Sequence, residues 1–225
     1  MEGAGDGLAR VTAHGKGGHA SLPEGTLNAI GLLSCYLLEN GLCGAGERDF
    51  LELERLVCAS GFDGASLGVA CADDTFGPLT AIGGTVELRD GALEQTIDVR
   101  YPTAITSEEL VARLGEAAAA HGATFSVIQD KVPFYISPTS PEIQALLATY
   151  REYTGDMTEP MVIGGGTYAR KFRRACAFGP HDPREQAPSW VGMEHGADEG
   201  VSEESLKRAL KVYIVSIARL MELEL

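Results

Sequence analysis

Two strand-like runs joined by a very short turn constrain the fold of this chain more than any other feature. The runs cover residues 79–88 and 92–101. Only Arg89, Asp90 and Gly91 separate them, and Gly91 can take a positive φ without a steric penalty. The pattern therefore predicts a β-hairpin.

The hairpin lies within a longer alternation of strands and helices. Apolar spacing and turn residues predict the other elements, with Ser107 as the N-cap of one helix and Gly122 as its end. The resulting order, strand, helix, strand, strand, helix, strand, is that of a ferredoxin-like sandwich (βαββαβ), so residues 8–136 are predicted to form a self-contained domain. These elements are a strand over 8–19, a helix over 27–40, a short helical insert over 46–60 with Phe50, Leu53 and Leu56 on one face, a helix over 107–122 and a strand over 123–136.

Residues 137–225 have a different pattern. We predict a helix over 140–155 that ends at Gly155, two short apolar strands over 160–166 and 175–179, and a long helix over 201–223 capped by Ser202. Apolar strands of this kind normally lie inside a parallel sheet with helices on both faces. Two strands cannot build such a sheet alone, so this region is predicted to be the C-terminal portion of an α/β domain. The apolar stripe predicted for the long helix consists of Leu206, Leu210, Tyr213, Ile217 and Leu220.

Charge and cysteine content exclude several classes of protein. The formal net charge of the 225 residues is −14, which disfavours binding to nucleic acid or to anionic membranes. The five cysteines show no C-x-x-C spacing, so we expect reduced, buried thiols rather than disulfides or a zinc–thiolate site. No apolar stretch is long enough to span a membrane and no signal peptide is visible, which favours a cytoplasmic location.

Two residues in the first region could contact a ligand. His19 follows three glycines in GKGGHAS (15–21), which let a ligand come close to the backbone, although a tight turn with an exposed histidine would have the same sequence. Arg100 shares a strand face with Asp98 in IDVRYP (97–102). It is a candidate for an ion pair with that aspartate or for binding a substrate carboxylate.

Two further candidates lie in the second region. Backbone N–H groups of Gly164, Gly165 and Gly166, before Thr167, could bind an anion or a carboxylate, but the spacing fits no nucleotide-binding loop. His195 precedes the last helix and is followed by Asp198 and Glu199, so it could ligate a metal ion. A zinc site needs at least three protein ligands, and the chain contains no H-E-x-x-H or H-x-D pattern.

Together these motifs resemble those of one family of metallopeptidases, which includes Xaa-His dipeptidases, aminoacylases, succinyl-diaminopimelate desuccinylase and glutamate carboxypeptidases. Their order and spacing fit the dipeptidase branch best. The strings that carry the resemblance are GKGGHASLPEGTLNAI (15–30), TFGPLTAIGGTVE (75–87), IDVRYP (97–102), GGGTYAR (164–170), AFGP (177–180) and HGADE (195–199).

The resemblance implies an α/β catalytic domain interrupted by a ferredoxin-like lid, and two zinc ions that activate a water to hydrolyse small dipeptides. His19 would stabilise the oxyanion of the tetrahedral intermediate, and Arg100 would hold the C-terminal carboxylate of the substrate. Gly164, Gly165, Gly166 and Thr167 would line the substrate pocket, and His195 would be the last ligand of one zinc ion. Relatives commonly have Asn where this chain has Ile82.

The segment that supplies the other metal ligands and the general-base glutamate in this family has no counterpart in these 225 residues. We therefore expect a C-terminal fragment that binds no stoichiometric zinc and is inactive alone. The alternatives are a non-catalytic module that forms a homodimer or binds a ligand through the lid, a deacylase or desuccinylase of the same family, and an unrelated ferredoxin-like binding protein.

Overall fold

The computed structural model describes residues 2–20, 23–59, 61–179, 182, 184–192 and 198–224. The chain forms two compact units. The first comprises Met1–Pro133 and Val162–Gly165, and the second comprises Phe134–Met161 and Gly166–Leu225. The domain boundary after residue 136 stays a prediction. In the described residues, no helix has the length and apolar character needed to cross a membrane.

The first unit contains three α-helices, one 3₁₀ turn (Ala65–Leu67) and three pairs of antiparallel strands, as far as the chain is described. Strand β1 pairs with β2, β3 with β4, and β5 with β6. The elements are β1 (Glu2–Gly5), β2 (Leu8–Arg10), α1 (Ala29–Glu39), α2 (Ala45–Cys58), β3 (Ala72–Asp73), β4 (Gly77–Pro78), β5 (Thr80–Arg89), β6 (Ala92–Arg100) and α3 (Ser107–Ala119).

The predicted hairpin is confirmed as β5 and β6. Arg89 is paired with Ala92, and both turn residues have a positive φ, 50° at Asp90 and 83° at Gly91. An Asp-Gly pair with two positive φ angles matches the right-handed twist of a two-residue hairpin turn. The pairing runs back to Thr80 and Arg100, with an irregularity between Gly83 and Val86.

The core of the first unit lies where α2, α3 and β5 meet. Gly83 brings β5 close to α2, because a Cβ atom at this position would lie 2.2 Å from the Cys58 sulfur. The absence of a side chain therefore permits the contact. Eight apolar side chains form the buried cluster: Val57, Leu67, Val69, Leu79, Ala81, Ile105, Leu110 and Leu114.

Several predicted strands of the first unit differ from the structure. Within the segment predicted as a strand over 8–19, only Leu8–Arg10 is one, and residues 123–136, all of them described, form none. An alternating pattern needs a partner strand to become a ladder, and the structure pairs neither segment with the hairpin. The ferredoxin-like lid therefore stays a prediction.

The N-cap predicted for α3 is also wrong by one residue. Thr106 caps the helix, with its hydroxyl oxygen accepting a hydrogen bond from the Glu109 N–H. The Ser107 hydroxyl instead donates to Asp130 at 2.6 Å. Hydrogen bonds from Ser107 and Tyr101 lower the pKa of Asp130. Gly122 does end the helical segment, with a φ of 68°.

The second unit is built around α4 (Pro141–Thr154) and α5 (Glu203–Met221). Gly155 ends α4 in the left-handed conformation and Ser202 caps α5, as predicted. Residues 160–166 and 175–179, which are described throughout, contain no strand, so both predicted strands are absent.

The apolar stripe predicted for α5 is confirmed for Tyr213 and Leu220, which are half-buried, and is wrong for the other three residues. The inward face of α5 carries Ser205, Val212 and Ser216, which are buried. Leu206, Leu210 and Ile217 of the predicted stripe are instead exposed. The three rings of Tyr150, Phe178 and Tyr213 stack edge to face beside the buried residues, with centroid distances of 6.1 and 5.7 Å.

All five cysteines are free thiols. The prediction that they are buried is wrong, because four are partly exposed and Cys176 is exposed.

Candidate functional site

One face of the β5–β6 hairpin brings several candidate residues together. Thr80 lies opposite Arg100 and Ile82 lies opposite Asp98, and directly paired residues point to the same side of a sheet. The Thr80 hydroxyl also donates to the Ala20 carbonyl at 3.2 Å. The loop that carries His19 is therefore attached to the strand residue that pairs with Arg100.

Arg100 ends strand β6 and is held by two partners. Its Nε and Nη2 atoms donate to the two carboxylate oxygens of Asp98 at 2.6 and 2.8 Å, a bidentate pair. The third nitrogen, Nη1, donates to the Gly164 carbonyl at 3.2 Å. This geometry agrees with the ion pair expected from the sequence and places one of the predicted glycines next to the guanidinium.

The remaining candidates belong to different parts of the chain. His19 is exposed on the glycine-rich loop of the first unit, and Gly164 and Gly165 also belong to that unit. Gly166 and Thr167 belong to the second unit, where the Thr167 hydroxyl oxygen caps the 3₁₀ turn Tyr168–Lys171 by accepting from the Ala169 N–H at 3.2 Å.

His195 lies outside the described residues. In the part of the chain that is described, no cluster of three or more histidine, cysteine or acidic side chains could hold a metal ion.

A cleft of about 370 Å³ opens beside the His19 loop. Its walls come from that loop, from the start of α1, from the end of α2 and from β5. Asn28 fixes one corner, because its amide nitrogen donates to the Gly83 carbonyl at 2.9 Å while its amide oxygen caps α1. This link ties the first turn of the helix to the hairpin.

A buried acid–thiol pair lies behind the cleft wall, and sequence reasoning missed it. Glu54 has no exposed surface, and its Oε2 accepts a hydrogen bond from the Cys58 thiol at 3.4 Å. Burial raises the pKa of Glu54 to about 7, and burial together with the charge of Glu54 raises the pKa of Cys58 to about 12. A weak nucleophile is expected at Cys58 as a result.

The spacing of residues along α2 is the sequence signal that indicates the burial of Glu54. Glu54 follows Phe50 by four residues and precedes Val57 by three, so it lies on the helix face that a period of 3.6 turns inward. An acidic residue on that face predicts either a partner or a raised pKa.

The second unit contains a charged network that holds the segment after residue 181. Arg184 donates to both oxygens of the buried Asp182, at 2.9 and 2.7 Å, and lies 3.8 Å from Asp156. Hydrogen bonds from Arg184 lower the pKa of Asp182 to about 2. Arg208 of α5 pairs with Glu185, which extends the network to the helix.

No family model matches the chain, but curated proteins do. A protein of Staphylococcus epidermidis named "Putative dipeptidase" is 29% identical over 213 residues, which cover 94% of this chain and 44% of that protein. The "Beta-Ala-Xaa dipeptidase" of Lactobacillus delbrueckii subsp. lactis is 28% identical over 217 residues, covering 96% and 44%. A "Putative dipeptidase" of Bacillus subtilis is 30% identical over 203 residues, covering 90% and 42%.

These similarities support a relationship to hydrolases. More narrowly, they support a relationship to proteins named as dipeptidases. The chain spans less than half the length of these relatives.

Proposed function

We propose that this chain is the C-terminal part of a zinc-dependent dipeptidase and that it is inactive alone. The observation that carries the proposal is the similarity just described, which extends over nearly the whole chain but over less than half of each relative. The resemblance of the motifs in the chain to the lid and C-terminal strings of metallopeptidases agrees with it.

The described residues do not fit a zinc site, because they contain no suitable cluster of ligands. In this proposal His195 is one ligand, and the others come from a segment outside these 225 residues. When bound, the zinc ions would supply an activated water.

The first unit would supply two groups that contact the substrate. His19, on its exposed loop, would donate a hydrogen bond to the developing oxyanion. Arg100 would hold the substrate carboxylate and would keep its bond to Asp98, which orients the guanidinium. Nη1 is the nitrogen that would exchange its present partner, the Gly164 carbonyl, for the substrate carboxylate, because this hydrogen bond is the longest of the three.

The exposed face of α5 supports the idea that further chain packs there. Large apolar side chains recur along one side of the helix although each is 49–82% exposed. A surface of this kind in a soluble protein normally marks an interface. The residues are Leu206, Leu210, Ile214, Ile217 and Met221.

The non-catalytic alternative has one observation in its favour. In the described residues the β5–β6 hairpin is a two-stranded sheet, and strands with an unpaired edge can pair with a second copy. A monomer in sedimentation experiments would contradict dimerisation through this hairpin.

Dipeptide hydrolysis tests the main proposal. We expect no turnover by the purified 225-residue chain with added zinc, and turnover that disappears in His195→Ala would contradict its inactivity. A longer protein, expressed from an in-frame sequence upstream of Met1, should hydrolyse dipeptides and lose this activity in His195→Ala. A longer protein that binds zinc but hydrolyses no dipeptide would overturn the proposed function.

A further inference from the structure

The cleft beside the His19 loop has the size of a small binding site. Its volume of about 370 Å³ is at the lower end of the range for ligand pockets, roughly 300–1,000 Å³. All of the described residues that line it belong to the first unit.

The polar side chains in the cleft wall are mostly occupied by the protein itself. The Asn28 amide bonds to Gly83 and caps α1, and the Thr26 hydroxyl donates to the Pro23 carbonyl at 2.6 Å. The Cys58 thiol donates to Glu54. These groups therefore have little capacity left for a polar ligand.

The surface left for a ligand is mainly hydrocarbon. Ile30, Val57, Phe62 and Ile82 come from α1, α2, the segment after α2 and β5. Lys16 and His19 supply the charged or titratable nitrogens of the lining, and none of its described residues is Asp or Glu. In a chain with a net charge of −14, a lining without carboxylates favours a ligand with an apolar body and an acceptor or anionic end.

Ile82 makes one wall of the cleft apolar. It lies on the hairpin face that also carries Arg100, opposite Asp98. Its branched hydrocarbon can neither donate nor accept a hydrogen bond. If a ligand placed an asparagine side chain in the cleft, that side chain would lose its hydrogen bonds to water without finding full replacements.

We propose that this cleft receives an apolar side chain of a short peptide, and that Ile82 selects for it. The choice of a peptide as ligand rests on the dipeptidase function proposed above. The selection itself rests on the cleft wall and requires no metal ion.

The test compares two peptides whose side chains are nearly equal in size. Gly-Leu and Gly-Asn are titrated into the metal-free 225-residue chain, and binding is followed by the amide NMR signals of residues 57–59, 61–62 and 81–83. We expect Gly-Leu to shift these signals and to bind about tenfold more tightly than Gly-Asn, or better, because a matched apolar pocket discriminates by roughly this factor.

Variants at two isoleucines assign the effect to the cleft. Ile82→Asn should remove the preference for Gly-Leu, whereas Ile128→Asn should leave it unchanged, since Ile128 is 86% exposed in the same unit. Ile82→Val keeps a hydrocarbon wall and should retain the preference, which covers the case in which Ile82→Asn fails to fold.

Equal affinities for the two peptides, no shift at millimolar Gly-Leu, or shifts confined to residues outside the cleft would overturn the proposal. These outcomes are independent of the hydrolysis assay. A longer protein that hydrolyses dipeptides without preferring an apolar side chain would contradict the subsite alone. A longer protein that binds Gly-Leu selectively but hydrolyses no dipeptide would contradict the proposed function alone.

Discussion

Replacing the buried Glu54 with glutamine should change how the stability of the first unit depends on pH. Glu54 has no exposed surface, and burial raises its pKa from 4.5 to about 7. The folded protein therefore binds this proton more tightly than the unfolded chain, and the stabilisation is fully present below pH 4.5. It is lost as the pH rises through 7.

The size of the effect follows from the difference in pKa. The pKa difference of about 2.5, at about 1.4 kcal/mol for each pKa unit, corresponds to a loss of about 3.5 kcal/mol. Glu54→Gln has no proton to release, so its free energy of unfolding should lack this decline. The difference between variant and wild type should grow in favour of the variant from pH 5 to pH 9.

Urea denaturation followed by far-UV circular dichroism, with amide hydrogen exchange of α2, measures this difference. Trp190 lies in the second unit, so tryptophan fluorescence would not report on the first. Asp49→Asn is a matched control, because Asp49 lies on the same helix but is exposed. Stability curves of wild type and Glu54→Gln that remain parallel from pH 5 to pH 9 would refute the reasoning.

Three further predictions concern the interactions within each unit. Asp182→Asn should destabilise the second unit by about 2 kcal/mol at pH 7, because the pKa of Asp182 in the folded protein is about 2, below the ordinary 3.8. This penalty should vanish as the pH falls through 2. An equal penalty at every pH in denaturation experiments would contradict the role of the Asp182 charge. Gly83→Ala should lower the free energy of unfolding by about 1–3 kcal/mol, because the new Cβ would meet the Cys58 sulfur. At Gly115 in α3 a Cβ meets no other atom, so Gly115→Ala should stabilise by about 0.5–1 kcal/mol. Similar effects of the two substitutions would show that β5 and α2 do not approach closely at Gly83. Val212→Ala should lower the free energy of unfolding by about 1.5 kcal/mol or more, because Val212 is buried. Ile214→Ala should change it by no more than about 0.5 kcal/mol, because the Ile214 side chain is 61% exposed. The reverse order in thermal melts would mean that the opposite face of α5 is buried.

Local signals in the sequence predicted the elements that depend on neighbouring residues. Asp90 and Gly91 form the hairpin turn, Gly155 ends α4 and Ser202 caps α5. Each of these features is decided within a few residues by φ preference or by a side-chain hydrogen bond.

Features that depend on distant partners were predicted less well. The spacing of Leu206, Leu210 and Ile217 indicates an apolar face but does not say what covers it, and in the structure they are exposed while Val212 packs inward. The Ser107 hydroxyl bonds to Asp130, 23 residues away, instead of capping its own helix.

The same distinction holds for the candidate site. Alternation along one strand predicts that Arg100 and Asp98 share a face, and the two side chains form an ion pair there. The link from Thr80 to Ala20 spans 60 residues, and the cleft joins four separate segments, so neither follows from a local pattern.

The zinc content of the purified chain tests most directly whether the metal ligands are divided between this chain and a segment outside it. After removal of bound metal, the chain is dialysed against zinc at near-stoichiometric concentration, and zinc per chain is measured by mass spectrometry for wild type and His195→Ala. We expect well under one zinc ion per chain and little difference between the two proteins. Two tightly bound zinc ions per chain, lost in His195→Ala, would contradict the division of the site.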